Sequence, residues 1–284
     1  MKKYPAFILF LLAIVFMYPV PSSAKSLQIK IFPRRISPGD AFVVKVTGVR
    51  KSSVPAVLFA DNELPLIDCG KGCYLAIGAV DINVKPKSYA VKIKDGRKNK
   101  SLRFVVKRKK FPEIHLSLPD EKVVLSPENL NRVEEENKKL AEIFQNVTEG
   151  LWDGNFIMPL DSEISTVFGT KRIMNEEWTS VHKGADLRGK EGDSVEASNG
   201  GRVVLAEELF FGGNTIILDH GQGIYTIYMH LSRFNVKLLD YVEKADTIGF
   251  VGSTGRATGP HLHFGVKVMG INVNPVSLTK LKLS

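Results

Sequence analysis

The chain has 284 residues, of which 44% are hydrophobic and 24% charged, and its formal net charge at pH 7 is +9. This length suits two domains of ordinary size, each with its own core, better than one domain. The positive charge favours contact with polyanionic surfaces. A metal site at the two cysteines is disfavoured, because no second Cys or His pair lies nearby to complete a tetrahedral set of ligands.

The N-terminus has the pattern of a secretory signal peptide. Lys2 and Lys3 precede an apolar run from Ala6 to Tyr18, and prolines and small residues ending at Ala24 follow it. The run is well short of the roughly 20 apolar residues that cross a bilayer, so a membrane anchor is disfavoured. We expect export, with residues 1–24 removed and the charges of the two lysines lost with them.

Residues 25–112 are predicted to form an antiparallel β-sandwich. Short alternating segments such as AFVVKVTGV and LRFVVKRK recur there, broken by Pro-Gly-Asp and Asp-Gly turns. Cys69 and Cys73 lie in a Cys-Gly-Lys-Gly-Cys turn, and after export they are expected to form a small disulfide loop. The domain contains no histidine. We therefore expect it to cover the cleft or position a substrate, and to supply no catalytic group.

Between Lys85 and Lys110, Lys and Arg alternate with Val, Ile and Phe. This alternation by itself predicts strands whose outer faces are solvated. A second interpretation is adhesion to an anionic polymer of the cell envelope. Nucleic acid is disfavoured as a partner, because an exported protein rarely meets it and no aromatic stacking motif accompanies the basic residues.

Residues 113–150 are expected to link the two domains through a helix. Ser126 is a good N-cap, Pro127 suits the first helical position, and the helix should end at about Gln145. Its apolar stripe should pack one domain against the other. That stripe comprises Leu130, Val133, Leu140 and Phe144.

Residues 151–284 are again predicted to form short strands, in segments such as RVVLA, NTIILDH and HLHFGVKV, with many glycines between them. These strands are too short and too closely spaced for crossover helices, which predicts a second, antiparallel β domain. The expected fold class is therefore mostly β, with an N-terminal β-sandwich, a linking helix and a C-terminal β domain.

Four of the five histidines of this second domain fall in short signatures. In a strand, His261 and His263 lie on one face, with backbones about 6.8 Å apart, so both imidazoles can reach one site. His182 and Asp186 would be roughly 13 Å apart in a fully extended segment, too far to share one ion. The chain must therefore bend, and Gly184 can both bend and leave room for a metal.

Two histidines and one aspartate would form a three-ligand site with a fourth position open for water, which is the arrangement of catalytic zinc. A metal held in this way would activate the water and polarise a scissile carbonyl. Such a reaction also needs a proton acceptor and a group that steadies the oxyanion.

The segments VHKGADL, YMHLS and TGPHLHFGV closely resemble the lysostaphin-like zinc metallopeptidases, whose pattern is H-x(3)-D, a lone His after a strand, and H-x-H. The resemblance covers roughly residues 152–275. It implies a peptidase domain of the duplicated-hybrid type. It also implies His182, Asp186 and His263 as zinc ligands, with His230 and His261 as the catalytic histidines.

Two turns depart from the family pattern, because Leu239 and Ala245 stand where glycine is usual. We expect these turns to be less tight than in the family. Outside the signatures, His220 is expected to be a turn histidine satisfied by the backbone, and His115 a surface or linker residue.

The expected function is an exported zinc metalloendopeptidase, periplasmic or extracellular, that hydrolyses peptide cross-links of bacterial peptidoglycan through a metal-activated water. The alternative is a noncatalytic wall-binding or amidase-activating protein, but the intact ligand set and both further histidines favour the enzyme. A structural zinc module is disfavoured because the ligand set is open and lacks thiolates. The export signal favours D-amino-acid cross-links over glycine bridges. An isolated chain of residues 151–284 is expected to keep its zinc and its activity on soluble fragments.

Overall fold

The computed structural model describes residues 26–50, 53–96, 98–117 and 125–283. The predicted signal peptide lies outside the described residues. Within them, no helix has the length and apolar character needed to cross a membrane. The fold is mostly β, as the sequence predicts.

The N-terminal domain consists of two sheets that enclose one apolar core. Its strands are β1 (Gln28–Phe32), β2 (Arg35–Ile36), β3 (Ala41–Thr47), β4 (Ala56–Phe59), β5 (Asn62–Leu64), β6 (Ile67–Gly70), β7 (Cys73–Ala79), β8 (Ser88–Asp95) and β9 (Lys98–Val106). The sheet orders are β1-β3-β7-β6 and β2-β9-β8-β4-β5. Phe42, Phe59 and Phe104 contact one another at the centre, with ring centroids 5.0 to 5.5 Å apart. The predicted β-sandwich is confirmed.

The basic stretch lies mainly on the outer face of β8 and β9. Val91 and Ile93 are buried in the core, whereas Lys92 and Lys94 between and after them are exposed. This is the solvated face that alternation predicts. Adhesion to an anionic polymer stays a prediction. The expected disulfide is present, since Cys69 and Cys73 are bonded across the β6–β7 turn with Cα atoms 5.1 Å apart.

The segment that follows contains the strand β10 (Glu113–Leu116) and the helix α1 (Pro127–Phe144). The helix begins as predicted, because the Ser126 side chain accepts a hydrogen bond from the backbone N–H of Asn129. It ends at the C-cap Gln145. Leu130, placed in the apolar stripe from the sequence, is instead 46% exposed.

The C-terminal domain is built on a ten-stranded sheet with the main order β11-β14-β21-β18-β17-β16-β19. Its elements are β11 (Ile164–Thr166), β12 (Lys171–Met174), β13 (Trp178–Val181), β14 (Gly184–Arg188), β15 (Ser194–Glu196), β16 (Gly201–Leu209), β17 (Gly213–Asp219), β18 (Ile224–Phe234), β19 (Tyr241–Val242), β20 (Thr247–Val251), β21 (His261–Val268), β22 (Ile271–Val273) and α2 (Pro275–Thr279). All strand pairs in this sheet are antiparallel.

Helix α1 packs on the C-terminal domain. Leu140, Ile143 and Phe144 contact a small apolar cluster on β16, β17 and β18. The Tyr225 hydroxyl donates to the carbonyl of Asn146 just beyond the helix, at 2.7 Å. The sequence predicted that this helix would hold the two domains together, but their main contact is elsewhere.

The two domains share a continuous apolar core around α2. Ala41, Val43 and Leu75 of the N-terminal sheet belong to the same buried cluster as Leu278 and Leu281 of the C-terminal segment. The contact is also polar, because the backbone N–H of Ala41 donates to Ser277 Oγ at 2.8 Å. This packing was not anticipated, since apolar residues of the last ten positions could equally have faced their own domain.

The turns at Leu239 and Ala245 are as tight as glycine would make them. Their φ angles are +75° and +70°, in the left-handed region that disfavours a Cβ. The N–H of Leu239 donates to the carbonyl of Val203 at 2.8 Å, and that of Ala245 to Ala197 at 3.0 Å. The expectation of looser turns is therefore wrong, because these hydrogen bonds hold the conformation against the steric cost.

Candidate metal centre

Three side chains converge on the polar face of the ten-stranded sheet. His182 Nε2 lies 2.8 Å from Asp186 Oδ1, and His263 Nδ1 lies 2.9 Å from the same oxygen. The two ring nitrogens are 2.9 Å apart. Two imidazoles and a carboxylate with their donor atoms grouped in this way form a candidate metal-binding cluster.

Pairing of β14 with β21 brings two of these residues together. Asp186 and His263 are direct cross-strand partners, as are Leu187 and Leu262 on the opposite, buried face. Opposed residues in an antiparallel pair lie close enough for side-chain contact. The predicted alternation in the His-Leu-His segment is thus confirmed, and the tertiary pairing adds the aspartate.

The third residue reaches the site through the bend between β13 and β14. The backbone N–H of His182 donates to the carbonyl of Thr170 at 2.9 Å, and its Nδ1 is 3.1 Å from the carbonyl of Val167. That second contact orients Nε2 towards the cluster, as hydrogen bonds to metal-binding histidines commonly do. Gly184 is needed for close approach, since a Cβ there would lie 2.7 Å from His263 Nε2.

The charges around Asp186 are arranged to keep it ionised. Burial acts to raise the pKa of Asp186, but hydrogen bonds and the charges of His182 and His263 outweigh it and hold the pKa far below its usual value. The guanidinium of Arg172 binds the second carboxylate oxygen at 2.5 Å. Burial likewise lowers the pKa of His263. An ionised carboxylate is the form in which aspartate binds metal.

His230 reaches the site from a β-bulge in β18. Its φ angle is +67°, and the register of β17 against β18 shifts beside it. Bulges next to active sites re-aim side chains. Its Nδ1 lies 2.9 Å from the carbonyl of Thr254, which directs Nε2 to the cleft. Burial, together with the charges of His263 and His261, lowers the pKa of His230 to about 3.

His261 lies at the start of β21, directly beside His230. The two ring centroids are 4.8 Å apart. The Nδ1 of His261 is 2.8 Å from the carbonyl of Gly259, and its Nε2 is 3.9 Å from Asp186 Oδ1. All five residues proposed from the sequence therefore lie in one cluster.

The cleft also contains residues that sequence reasoning missed. A cavity of about 130 Å³ beside the histidines is lined in part by Arg172, Arg256 and Ile114. Ile114 belongs to β10, which pairs in parallel with β12, so the segment between the domains borders the cleft. Arg256 stacks over the ring of Phe211 at 4.1 Å. A larger cavity of about 340 Å³ continues past Asp186 and His261 to Pro260.

The remaining histidines lie outside the cluster. His220 is fully buried, with Nδ1 at 2.7 Å from the carbonyl of Gly200 and Nε2 at 2.7 Å from Thr226 Oγ1. It is a structural residue held largely by the backbone, as predicted. His115 is half-exposed on β10, where its Nδ1 is 2.8 Å from a carboxylate oxygen of Glu176.

An antiparallel sheet that carries two histidines and an aspartate as a candidate metal-binding cluster, with two further histidines beside it, has the features of a metallopeptidase centre. Residues 180–275 match the sequence profile of peptidase family M23. The chain therefore carries a peptidase M23 domain.

Curated proteins match part of this chain in sequence. Peptidoglycan DD-endopeptidase ShyA of Vibrio cholerae is 37% identical over 119 residues, which cover 41% of this chain and 28% of that protein. Lysostaphin of Staphylococcus staphylolyticus is 44% identical over 86 residues, covering 30% of this chain and 18% of that protein. The chain therefore spans less than a third of the length of the curated relatives it matches.

A solved structure extends the likeness beyond the peptidase domain. A Pseudomonas aeruginosa structure assigned to peptidase M23 is similar over 86% of this chain and 94% of its own, with a TM-score of 0.67 and 27% identity. Coverage of this extent includes much of the N-terminal β domain. The predicted resemblance to the lysostaphin-like peptidases is confirmed.

Proposed function

We propose that this protein is an exported zinc metalloendopeptidase that hydrolyses peptide cross-links in bacterial peptidoglycan. The observation that carries the proposal is the convergence of His182, Asp186 and His263 with two further histidines beside them. The name of the Vibrio cholerae relative supports the substrate, since that protein is a peptidoglycan DD-endopeptidase.

The residues present fit a zinc ion. His182 Nε2, Asp186 Oδ1 and His263 Nδ1 would hold it, and two nitrogens with one oxygen are a common donor set of catalytic zinc. When bound, zinc supplies Lewis acidity for polarising a carbonyl and for activating water. Arg172 holds the other oxygen of Asp186, so this carboxylate has one orientation.

His230 and His261 are positioned for proton transfer and for stabilising negative charge. Each has its Nδ1 at a backbone carbonyl, so the Nδ1–H is the donor and Nε2 can present a lone pair to the cleft. That nitrogen can take a proton from the attacking water and return it to the leaving amine. Once protonated, the same nitrogen can donate to a developing oxyanion.

The charge of the cleft favours cross-links that carry free carboxylates. Arg172 and Arg256 both line the cavity beside the catalytic histidines. The Nε of Arg172 is buried and has no hydrogen-bond partner among the described residues. Directly cross-linked stem peptides containing D-amino acids bear α-carboxylates near the scissile bond, whereas glycine bridges bear none. Charge-assisted hydrogen bonds from the arginines would favour the former.

The export part of the proposal rests on two features. Residues 1–24 have the composition of a signal peptide, and Cys69 and Cys73 form a disulfide, which persists in oxidising compartments. A periplasmic location would give direct access to peptidoglycan. Cell fractionation with antibody detection tests this, and retention of the protein in the cytoplasm with its N-terminus intact would contradict it.

The substrate experiment uses two purified peptidoglycans, one cross-linked directly between stem peptides and one cross-linked through glycine bridges. We expect the zinc-loaded protein to release monomeric muropeptides from the first, measured by mass spectrometry. Arg256→Gln should reduce this cleavage about tenfold through a higher KM, because a charge-assisted contact is lost. Arg233→Gln is the matched control, since Arg233 also stacks on a phenylalanine but does not line the cavities beside the histidines. Preferential cleavage of glycine bridges would contradict the proposed substrate.

A further inference from the structure

A second cavity lies where the two domains meet. It has a volume of about 630 Å³ and is bounded by the N-terminal sheet on one side and by α2 and the C-terminal segment on the other. None of its lining residues borders the cavities at the metal centre. We call this cavity the interdomain groove. Its size falls within the roughly 300 to 1,000 Å³ of small-molecule sites.

The floor of the interdomain groove is apolar. Val43 and Leu75 of the N-terminal sheet and Leu281 of the C-terminal segment are buried beneath it. Val276 lines one side, and Phe32, which is 50% exposed, lines the other. A half-exposed phenylalanine beside an apolar floor leaves hydrocarbon surface in contact with water, and a ligand with an apolar chain would cover it.

The rim of the groove is cationic. Four lysines border it: Lys45, Lys109, Lys280 and Lys282. No carboxylate lies within 4.0 Å of any of these ammonium groups in the described part of the chain. Among the described residues that line the groove, the one carboxylate is that of Asp40, which already accepts hydrogen bonds from the N–H of Ser37 at 3.0 Å and the amide of Asn274 at 3.3 Å.

These two features select one class of ligand. A polar glycan or a nucleic acid would gain little from a floor without hydrogen-bonding groups, and a neutral hydrocarbon would leave the lysines unused. A molecule with an apolar chain and an anionic head uses both, because lysine stems pack on apolar surface while their ammonium groups bind a carboxylate or phosphate.

We propose that the interdomain groove binds a single-chain anionic amphiphile, with its alkyl chain along the apolar floor and its carboxylate or phosphate among the four lysines. Because one wall belongs to each domain, such a ligand would contact both domains at once and stabilise their packing. The site is independent of the proposed peptidase chemistry.

The test measures binding of alkyl phosphates to the intact protein by calorimetry, below their micelle concentrations. Dodecyl phosphate should bind saturably at one site per chain. Shortening it to decyl phosphate should weaken binding about tenfold, because two fewer methylenes are buried. Inorganic phosphate and dodecyltrimethylammonium should bind at least tenfold more weakly than dodecyl phosphate, since one lacks the chain and the other has the opposite charge.

Two variants locate the site. Lys280→Glu combined with Lys282→Glu should weaken dodecyl phosphate binding at least tenfold, as should Val276→Trp, which fills the groove with an apolar side chain. The matched control is Lys92→Glu combined with Lys94→Glu, an equal charge change on the exposed face of β8, which should bind normally. Thermal unfolding of each variant checks that the fold is intact.

Four results would overturn the proposal. They are the absence of saturable binding, equal affinity for the cationic amphiphile, equal weakening by the control pair of substitutions, and normal affinity in the groove variants that remain folded. A further measurement distinguishes binding of a monomeric amphiphile in the groove from binding of the protein to a membrane surface. If the protein binds anionic phospholipid vesicles but no monomeric alkyl phosphate, it adheres to surfaces by charge and the groove is not an amphiphile site.

Discussion

The two β domains of this protein bury very different side chains. The core of the N-terminal domain is apolar, and Asp95 is its one buried charged residue among those described. The C-terminal domain buries His182, Asp186, His220 and His230 within and beside its sheet. Burial of polar groups is costly unless each is hydrogen-bonded, and these four are.

This difference shows that the C-terminal domain buries several polar side chains, whereas the N-terminal domain buries almost only hydrocarbon. A domain without candidate catalytic groups can be stabilised by hydrocarbon alone, as the three phenylalanines of the N-terminal core illustrate. A domain that holds a metal must keep ionised and neutral polar groups in fixed positions. Its sheet therefore supplies hydrogen-bonding partners for every member of the site.

The largest effect should come from breaking the metal cluster. We expect Asp186→Ala and His263→Ala each to lose zinc and peptidase activity together, because a catalytic zinc ion needs three protein ligands and only two would remain. The β core should survive, since it does not depend on the metal. Zinc content by atomic absorption and muropeptide release measure the two effects. Asp161→Ala, on an exposed aspartate, is the control, and stoichiometric zinc in either ligand variant would disprove the ligand assignment.

The next largest effect should be a loss of turnover without loss of zinc, and it distinguishes the two histidines beside the cluster from the two within it. His230→Ala and His261→Ala should keep zinc but lower kcat by about 10² or more, the size expected for loss of an acid–base or oxyanion partner. A folded, zinc-loaded variant with normal kcat would show that the histidine it lacks has only a structural role.

A third prediction concerns the core that the two domains share. Leu281 is 4% exposed, so Leu281→Ala should lower the free energy of unfolding by about 2 to 4 kcal/mol through loss of buried surface and creation of a cavity. Zinc content should not change. Leu238→Ala, at a side chain that is 56% exposed, should cost less than about 0.5 kcal/mol. Denaturant unfolding tests both, and equal effects would mean that Leu281 does not stabilise the shared core.

This shared core also bears on the isolated peptidase segment. Residues 151–284 contain all five site residues, so the chemistry is still expected from them, but they would expose the apolar side chains that now contact Val43 and Leu75. We therefore expect a shortened chain to keep zinc and to have a lower melting temperature than the whole protein. Loss of zinc from a shortened chain that remains folded would show that the N-terminal region contributes to the site.

A smaller effect, confined to acid, should come from His220. Burial lowers its pKa from 6.5 to about 4 in the folded protein. Because the folded pKa is depressed, the contribution to stability is present above pH 6.5 and is lost as the pH falls to about 4. The loss should be about 3 kcal/mol at the acid limit. His220→Gln should remove this part of the pH dependence, measured by urea unfolding between these pH values, and an unchanged slope would exclude His220 as its source.

The smallest effect should come from the two left-handed turns. Leu239→Gly and Ala245→Gly should each stabilise the protein by up to about 1 kcal/mol, because glycine relieves the steric cost of a positive φ and loses part of that gain to its greater freedom when unfolded. Thermal unfolding detects this, and Met269→Gly, at φ +50°, provides a third test of the same rule. Destabilisation at both positions would mean that contacts of the Leu239 and Ala245 side chains outweigh the backbone strain.

Local patterns in the sequence determined much of this protein. Alternation places His261 and His263 on one face of a strand because the side-chain period of a strand is two. The cap at Ser126 starts α1 because its hydroxyl satisfies a free N–H of the first turn. The signatures also identified the five residues of the candidate site, since their spacing and the family resemblance are properties of short segments.

Only the tertiary structure decided the remaining features, because each depends on residues far apart in the chain. Arg172 meets Asp186 through the placement of β12 beside the sheet, and Arg256 enters the cleft from a loop that carries no local signal. The left-handed φ of His230 arises at a bulge that exists only once β17 and β18 pair. The shared core and the interdomain groove likewise require the C-terminal segment to dock on the N-terminal sheet. Such docking is decided by the fit of two apolar surfaces, which no short stretch of sequence contains.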